Sequence, residues 1–164
     1  MGFEVTIYAF AALPLHFNPV VWNEDNGYAT YQAIRSAAPL ICDLDRRFDW
    51  LNWSLKRFEP ALLAGWAIVG REQITPDARS PQGFPICWNA QSICRDISSF
   101  LDGVDEARLQ SVINYDEMAA AHLYKVENAD RDLLTSVVME DFRMLRAFYA
   151  ATVRMGLGAL IYRD

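Results

Sequence analysis

Asp45, Asp49 and Asn52 have the side chains and the spacing that could support a chemical reaction. If this segment is helical, positions i, i+4 and i+7 share one face, and the three side chains form a polar ridge. Two carboxylates one turn apart can hold a metal ion or share a proton in acid–base catalysis. The structural alternative is an acidic first turn whose charge is compensated by Arg46 and Arg47. We favour this alternative, and therefore predict no catalytic residue and no metal ligand.

Other sequence patterns give no further support for an enzyme. His16 and His122 lie far apart, and neither has a partner at the spacing of metal ligands. The glycine-rich nucleotide-binding motifs and the GxSxG nucleophile motif are absent. We therefore expect no cofactor, and an enzyme is the less favoured class.

Tryptophan supplies a second set of candidate residues, because it is enriched at the energetic centres of protein interfaces. The chain has five tryptophans, and aromatic residues make up 13% of it. Some of these rings should line a groove or cover another element, although filling the core is the default alternative. The candidate ligand- or partner-binding residues are therefore Trp22, Asp45, Asp49, Trp50, Asn52 and Trp53.

The segment Asp43–Glu59 is predicted to be the helix that carries most of these residues. Its apolar residues recur at spacings of four, three, four and three, which is typical of one helical face. They are Leu44, Phe48, Leu51, Leu55 and Phe58. Asp43 is the expected N-cap, and Asp45 is expected in the first turn, where the helix dipole favours an anion.

The remaining elements predict an α+β fold that is mostly helical. Strands are predicted at 2–10 and 159–162, and a short strand at 84–88. Further helices are predicted at 30–38, 61–69, 90–102, 106–113, 116–122 and 130–155, with Asn89 and Asp105 as N-caps. Loops are predicted at 16–28 and 74–84. We expect a single domain over residues 1–164, with the N- and C-terminal strands in one small sheet.

Charge and hydropathy argue against two classes of partner. The net charge of −6 and the lack of a basic stripe argue against nucleic acid. No apolar run approaches the roughly 20 residues that cross a bilayer, so no membrane partner is expected.

The N-terminal segment lacks the basic start of a signal peptide. Cys42, Cys87 and Cys94 are predicted to be reduced, buried thiols, with a Cys87–Cys94 disulfide as the alternative. A cytoplasmic location is therefore expected.

A group of acidic residues follows the predicted helix at 90–102. By default they are helix caps and solvated side chains, and the alternative is an acidic docking surface for a basic partner. The group comprises Asp102, Asp105, Glu106, Asp116 and Glu117.

Three stretches of the chain resemble the YfbM-like family, which comprises small bacterial proteins that share a domain of unknown function. They are LDRRFDWLNWSL at 44–55, AIVGRE at 67–72 and the segment 142–161, so the resemblance extends from about residue 40 to the end. It implies an α+β fold, and it supplies no established activity, substrate, cofactor or site. Phe48 stands where the family commonly has tryptophan, and Asn52 where it often has histidine. Asn52 could not replace such a histidine as an acid or base.

These observations lead us to expect a cytoplasmic, non-catalytic protein-binding module. An acidic domain with long loops and surplus tryptophans is the form expected of an immunity-type inhibitor that blocks a toxic, basic partner. The alternative is a small enzyme or ligand-binding protein with a cleft near Asp45, Asp49 and Asn52. A homodimeric structural protein is a third, weaker interpretation, and the sequence does not predict the oligomeric state.

Overall fold

The computed structural model describes residues 4–12, 32–45, 47–74 and 85–163. Trp22, the predicted loop at 16–28 and most of the predicted loop at 74–84 lie outside these ranges.

Within the described ranges, five strands form one antiparallel sheet. They are β1 (Val5–Phe10), β2 (Leu40–Asp45), β3 (Glu72–Gln73), β4 (Cys87–Asn89) and β5 (Gly158–Arg163), in the spatial order β2-β1-β5-β4-β3. β1 pairs with β5 from Val5 opposite Arg163 to Phe10 opposite Gly158. The prediction that the terminal strands share one sheet is therefore confirmed, and so is the α+β class.

Helices pack against this sheet and supply most of the core. They are α1 (residues 32–37), α2 (Phe48–Phe58), α3 (Leu62–Val69), α4 (Gln91–Asp102), α5 (Glu106–Val112), α6 (Tyr115–Ala120) and α7 (Arg131–Arg154), with a 3₁₀ turn at Val126–Asn128. Leu51 of α2 and Phe142 of α7 are fully buried in the same cluster as Ile7 and Ile161 of the sheet. A second cluster, which includes Tyr8 and Leu160, lies on the other face of the sheet. No helix in the described ranges has the length and apolar character needed to span a bilayer.

The predicted start of the helix at Asp43 is wrong, because residues 40–45 form the edge strand β2. Cys42 and Leu44 are buried while Asp43 and Asp45 are exposed, which is the alternation of a strand. Backbone pairing with β1 holds residues 40–45 in an extended conformation, and α2 begins only at Phe48. Leu44 fitted the helical pattern because it lies four residues before Phe48, a spacing that does not exclude a strand. Neither Asp43 nor Asp45 is therefore part of the helix.

The predicted N-caps have different outcomes. Asp105 caps α5 by accepting hydrogen bonds from the backbone N–H groups of Ala107 and Arg108, as predicted. Asn89, in contrast, is the last residue of β4, and Ala90 occupies the N-cap position of α4. The prediction for Asn89 was wrong because its side chain is fully buried and makes hydrogen bonds to three other segments.

Candidate functional site

The connection between β2 and α2 faces the chain around residues 124–129 across a cleft of about 300 Å³. Two cationic side chains, one carboxylate and two aromatic rings contribute to its lining. The lining residues are Asp45, Arg47, Trp50, Tyr124, Lys125, Asn128 and Ala129. Since Asp45 and Trp50 are both in this set, the cleft brings together two of the residues that the sequence singled out.

Two consecutive residues of α2 hold the far wall of the cleft in place. The indole Nε1–H of Trp50 donates a hydrogen bond to the carbonyl oxygen of Tyr124 at 3.0 Å. The carboxylate of Asp49 accepts a hydrogen bond from the backbone N–H of the same Tyr124. Burial raises the pKa of Asp49, while Lys56 and this hydrogen bond partly offset the effect. Asp49 and Trp50 thus fix the position of the Tyr124 backbone, and the wall of the cleft is preformed.

The backbone beside the cleft adopts unusual conformations. Among the described residues, the non-glycine residues with positive φ are Asp45 at 50°, His122 at 54° and Lys125 at 54°. Asp45 and Lys125 line the cleft, and His122 lies three residues before Lys125. Left-handed conformations are unfavourable for residues with a Cβ atom, and such residues concentrate at functional sites. Their grouping marks this cleft as the candidate site.

Arg47 forms a loose ion pair with a buried carboxylate. Its Nη2 lies 3.5 Å from Oδ1 of Asp141 on α7, and the Asp141 side chain is 3% exposed while that of Arg47 is 40% exposed. Burial raises the pKa of Asp141 to about 6, with Arg47 lowering it and Glu140 and Asp45 raising it. Within the described ranges, Oδ2 of Asp141 and Nε of Arg47 have no hydrogen-bond partner. This pair is therefore incompletely satisfied.

The predicted ridge of Asp45, Asp49 and Asn52 does not form, because Asp45 belongs to β2 and not to α2. Asp45 is not among the groups that shift the pKa of Asp49, which does not support the idea that these carboxylates share a proton. Asn52 lies outside the cleft lining, and its Oδ1 is buried with no partner in the described part of the chain. Trp53 is half-buried against the core, with the Arg57 guanidinium 5.5 Å from its ring centroid. Trp22 lies outside the described residues.

Sequence reasoning missed most of the polar residues of the site, namely Arg47, Tyr124, Lys125, Asn128 and Asp141. Asp141 did carry a signal, because it interrupts the apolar stripe of α7 between Val138 and Phe142 and is almost fully buried. A carboxylate on the buried face of a helix is rare unless it has a partner. The other four residues carried no comparable signal.

The acidic group that follows α4 is largely neutralised by the protein's own arginines. Glu106 contacts Arg143 at 2.8 Å and Arg146 at 2.5 Å. Asp116 pairs with Arg131, Glu117 pairs with Arg57, and Asp105 caps α5. The Arg143 and Arg146 side chains lower the pKa of Glu106. The charges that would attract a basic partner to this surface are therefore already compensated in part.

Two further observations bear on ligands. A larger cleft of about 400 Å³ runs along α3, and its lining includes Leu62, Trp66 and Val69, with Lys56 as its charged residue. Because the described residues of its lining provide no convergent polar groups, it offers little basis for specific recognition. In the part of the chain that the structure describes, no group of three or more histidine, cysteine or acidic residues is arranged to hold a metal ion.

Comparisons with known proteins support the resemblance inferred from the sequence. The crystal structure of YfbM from Escherichia coli, described as a protein of unknown function, matches with a TM-score of 0.71 over 96% of this chain and 98% of that chain. The two sequences are 18% identical, so this likeness shows a shared fold alone. No curated protein matches the sequence significantly. A family model described as a domain of unknown function, DUF1877, matches residues 20–162. Because this match covers most of the sequence, the chain belongs to the DUF1877 family.

Proposed function

We propose that this protein is a non-catalytic protein-binding module and that its partner docks at the cleft between the β2–α2 connection and residues 124–129. The observation that carries the proposal is the composition of the lining. Arg47 and Tyr124 are partly exposed and belong to residue types that are enriched at the energetic centres of protein interfaces. Trp50 is only 7% exposed and supports the wall behind them. Because Asp49 and Trp50 hold the Tyr124 backbone in advance, little ordering would be needed on binding.

An immunity-type inhibitor that acts in the cytoplasm on a toxic, basic partner is the specific form of this proposal. The net charge of −6 supports it, because a negative protein attracts a positive one over a long range. We assign the close contact to the cleft and not to the acidic group of α5 and α6. Glu106, Asp116 and Glu117 already contact arginines of this chain.

Site-specific photocrosslinking in cells that naturally make the protein tests the proposal. Asn128 is exposed and lines the cleft, so it is replaced by a photoreactive phenylalanine analogue. Gln110 on α5 is also an exposed amide side chain outside the cleft lining, and the same replacement there is the matched control. We expect a defined protein adduct at position 128 that the control lacks. Equal adducts at both positions, or none at 128, would reject the docking site.

A small-ligand-binding protein or enzyme is the second candidate function. Two observations favour it: a volume of about 300 Å³ matches the lower end of small-ligand sites, and Asp141 beside the cleft has a pKa raised to about 6. Native mass spectrometry of protein isolated from its own cells would then reveal a bound molecule, and Tyr124→Ala would lose it. Wild-type protein that carries no added mass and gives a protein adduct at position 128 favours the first proposal.

A further inference from the structure

We infer that the cleft receives an acidic side chain of the partner protein, whose carboxylate is bound by Arg47 and Lys125. This inference rests on the proposed function and specifies the chemistry of the group that the partner presents. It concerns a single anchoring residue, because a cleft of about 300 Å³ holds a side chain and not a domain surface.

The exposure of the charged side chains determines which charge a partner group contacts when it enters the cleft. The Arg47 side chain is 40% exposed, whereas that of Asp141 is 3% exposed. A group entering the cleft can therefore contact the guanidinium but not the carboxylate behind it. Lys125 is exposed on the opposite wall of the same cleft. Among the described residues that line the cleft, two accessible cations therefore face one accessible carboxylate, that of Asp45.

Arg47 has unused capacity for hydrogen bonding. A guanidinium has five N–H donors in a planar arrangement that matches a carboxylate. In the described structure Arg47 makes one contact, at 3.5 Å, and this distance is at the limit of a hydrogen bond. A carboxylate from a partner would add a short, bidentate, charge-assisted pair. The Arg47–Asp141 contact therefore orients the guanidinium and leaves other N–H donors of the group available to a partner.

Backbone features on both walls add to the positive potential. The backbone of Arg47 occupies the N-cap position of α2, so the positive end of the helix dipole adds to the potential at this wall of the cleft. Lys125 is held in a left-handed conformation, and its Nζ lies 5.2 Å from the centroid of the Tyr124 ring. Asp49 and Trp50 of α2 both contact the backbone of Tyr124. Because Lys125 follows Tyr124 and its cation lies near the Tyr124 ring, the position of this cation is coupled to α2.

Asp45 makes the inference more specific. Its carboxylate is exposed and lines the cleft, so it would repel a second acidic residue adjacent to the anchor. The exposed amide of Asn128 can donate to the anchoring carboxylate or accept from a neighbouring N–H. The preferred partner segment therefore has one acidic residue flanked by neutral polar groups, and not an acidic run.

Titration of the protein with a capped glutamate, N-acetyl-glutamyl-methylamide, tests this chemistry at constant ionic strength. The readout is the NMR signal of the Trp50 indole N–H, which lies at the cleft and is assigned with Trp50→Phe. We expect a saturable shift with the glutamate probe and none with the capped glutamine or capped lysine analogues. Arg47→Gln should weaken binding about tenfold or more, as expected for losing a charge-assisted pair. Lys125→Gln should weaken it less, because a single ammonium cannot form the bidentate pair.

Arg154→Gln removes an exposed arginine at the end of α7 and is the matched control, which should bind the probe like the wild type. Equal shifts with the glutamate and glutamine probes, or unchanged binding in Arg47→Gln, would overturn the inference. A protein adduct at position 128 without a glutamate-specific shift would overturn it while supporting the proposed function. A glutamate-specific shift without any protein adduct would support the carboxylate chemistry and overturn a protein as its source.

Discussion

Asn89 and Asp141 are both buried polar residues, but among the described residues only Asn89 has a partner for each polar atom of its side chain. The Asn89 amide donates to the carbonyl of Trp66 at 2.8 Å and to the hydroxyl of Tyr149 at 3.2 Å, and its Oδ1 accepts from the Arg71 backbone at 2.9 Å. The Tyr149 hydroxyl in turn donates to the Ala67 carbonyl at 2.9 Å. We use the name Asn89 cluster for the side chains of Asn89 and Tyr149 together with the backbone groups to which they are hydrogen-bonded.

The Arg47–Asp141 pair differs from the Asn89 cluster in both geometry and exposure. It has one long contact, and one polar atom on each side lacks a partner among the described residues. Buried polar groups in a structural network are normally paired, since an unpaired group destabilises the fold. The comparison suggests that the Asn89 cluster ties α3, β4 and α7 together. The pair beside the cleft instead retains binding capacity that a partner can use.

The largest expected effect is on the Asn89 cluster. Asn89→Ala removes three hydrogen bonds at a residue with no exposed surface, one of them to the fully buried Tyr149 hydroxyl, so we expect about 3–5 kcal/mol of destabilisation. Urea denaturation measures the free energy of unfolding. Asn114→Ala is the matched control, because it removes a single hydrogen bond at the exposed cap of α6.

If Asn89→Ala does not fold, Tyr149→Phe tests the same cluster more mildly. It removes only the hydroxyl that Asn89 and Ala67 share, and we expect about 1–2 kcal/mol of destabilisation. The assignment of a structural role to the cluster would be wrong if neither variant were less stable than Asn114→Ala.

The next effect concerns Asp141 and depends on pH. Its pKa of about 6 in the folded protein exceeds the ordinary value of 3.8, so the folded state binds a proton that the unfolded chain has lost. This contribution to stability is full below about pH 4 and is lost as the pH rises through about 6. Asp141→Asn keeps the neutral shape and should remove this dependence, and at pH 7 it should stabilise the protein by about 2–3 kcal/mol at most.

Unfolding of wild type and Asp141→Asn between pH 4 and pH 7 measures this prediction. Asp96→Asn, at an exposed position on α4, controls for the loss of one negative charge. A variant that was less stable than the wild type at pH 7 would mean that ionised Asp141 is a well-satisfied member of the fold, like Asn89.

The elements were predictable from the sequence where a local pattern has one interpretation. The terminal strands alternate or are uniformly apolar, and Asp105 lies directly before a short apolar pattern, so both were placed correctly. The start of α2 was not placed correctly, because Leu44 fits both a helical stripe and an alternating strand. Pairing with β1 decides between them, and pairing is not a local property.

The candidate site was predictable only in part for the same reason. Asp45, Asp49 and Trp50 were selected as polar or aromatic residues, and all three contribute to the cleft or hold its wall. Their partners lie far along the chain: Trp50 contacts Tyr124 across 74 positions, and Arg47 contacts Asp141 across 94. One sequence carries no signal for contacts at such separations. It also does not identify the left-handed backbone of Asp45 and Lys125, which are not glycines.

The smallest expected effect is that of Arg47→Gln on stability at pH 5, where we expect less than about 1 kcal/mol of destabilisation. At this pH Asp141, with its pKa of about 6, already holds its proton in the folded protein, so the arginine has no buried charge to compensate. The contact is also long, and Arg47 is partly exposed, which limits the strength of the ion pair. The urea denaturation used for Asn89→Ala measures the difference. If Arg47→Gln unfolded the protein at pH 5 as readily as Asn89→Ala does, Arg47 would have a structural role comparable to that of the Asn89 cluster. If Arg47→Gln instead keeps near-native stability and loses glutamate binding, then Arg47 recognises a partner, whereas the Asn89 cluster stabilises the fold.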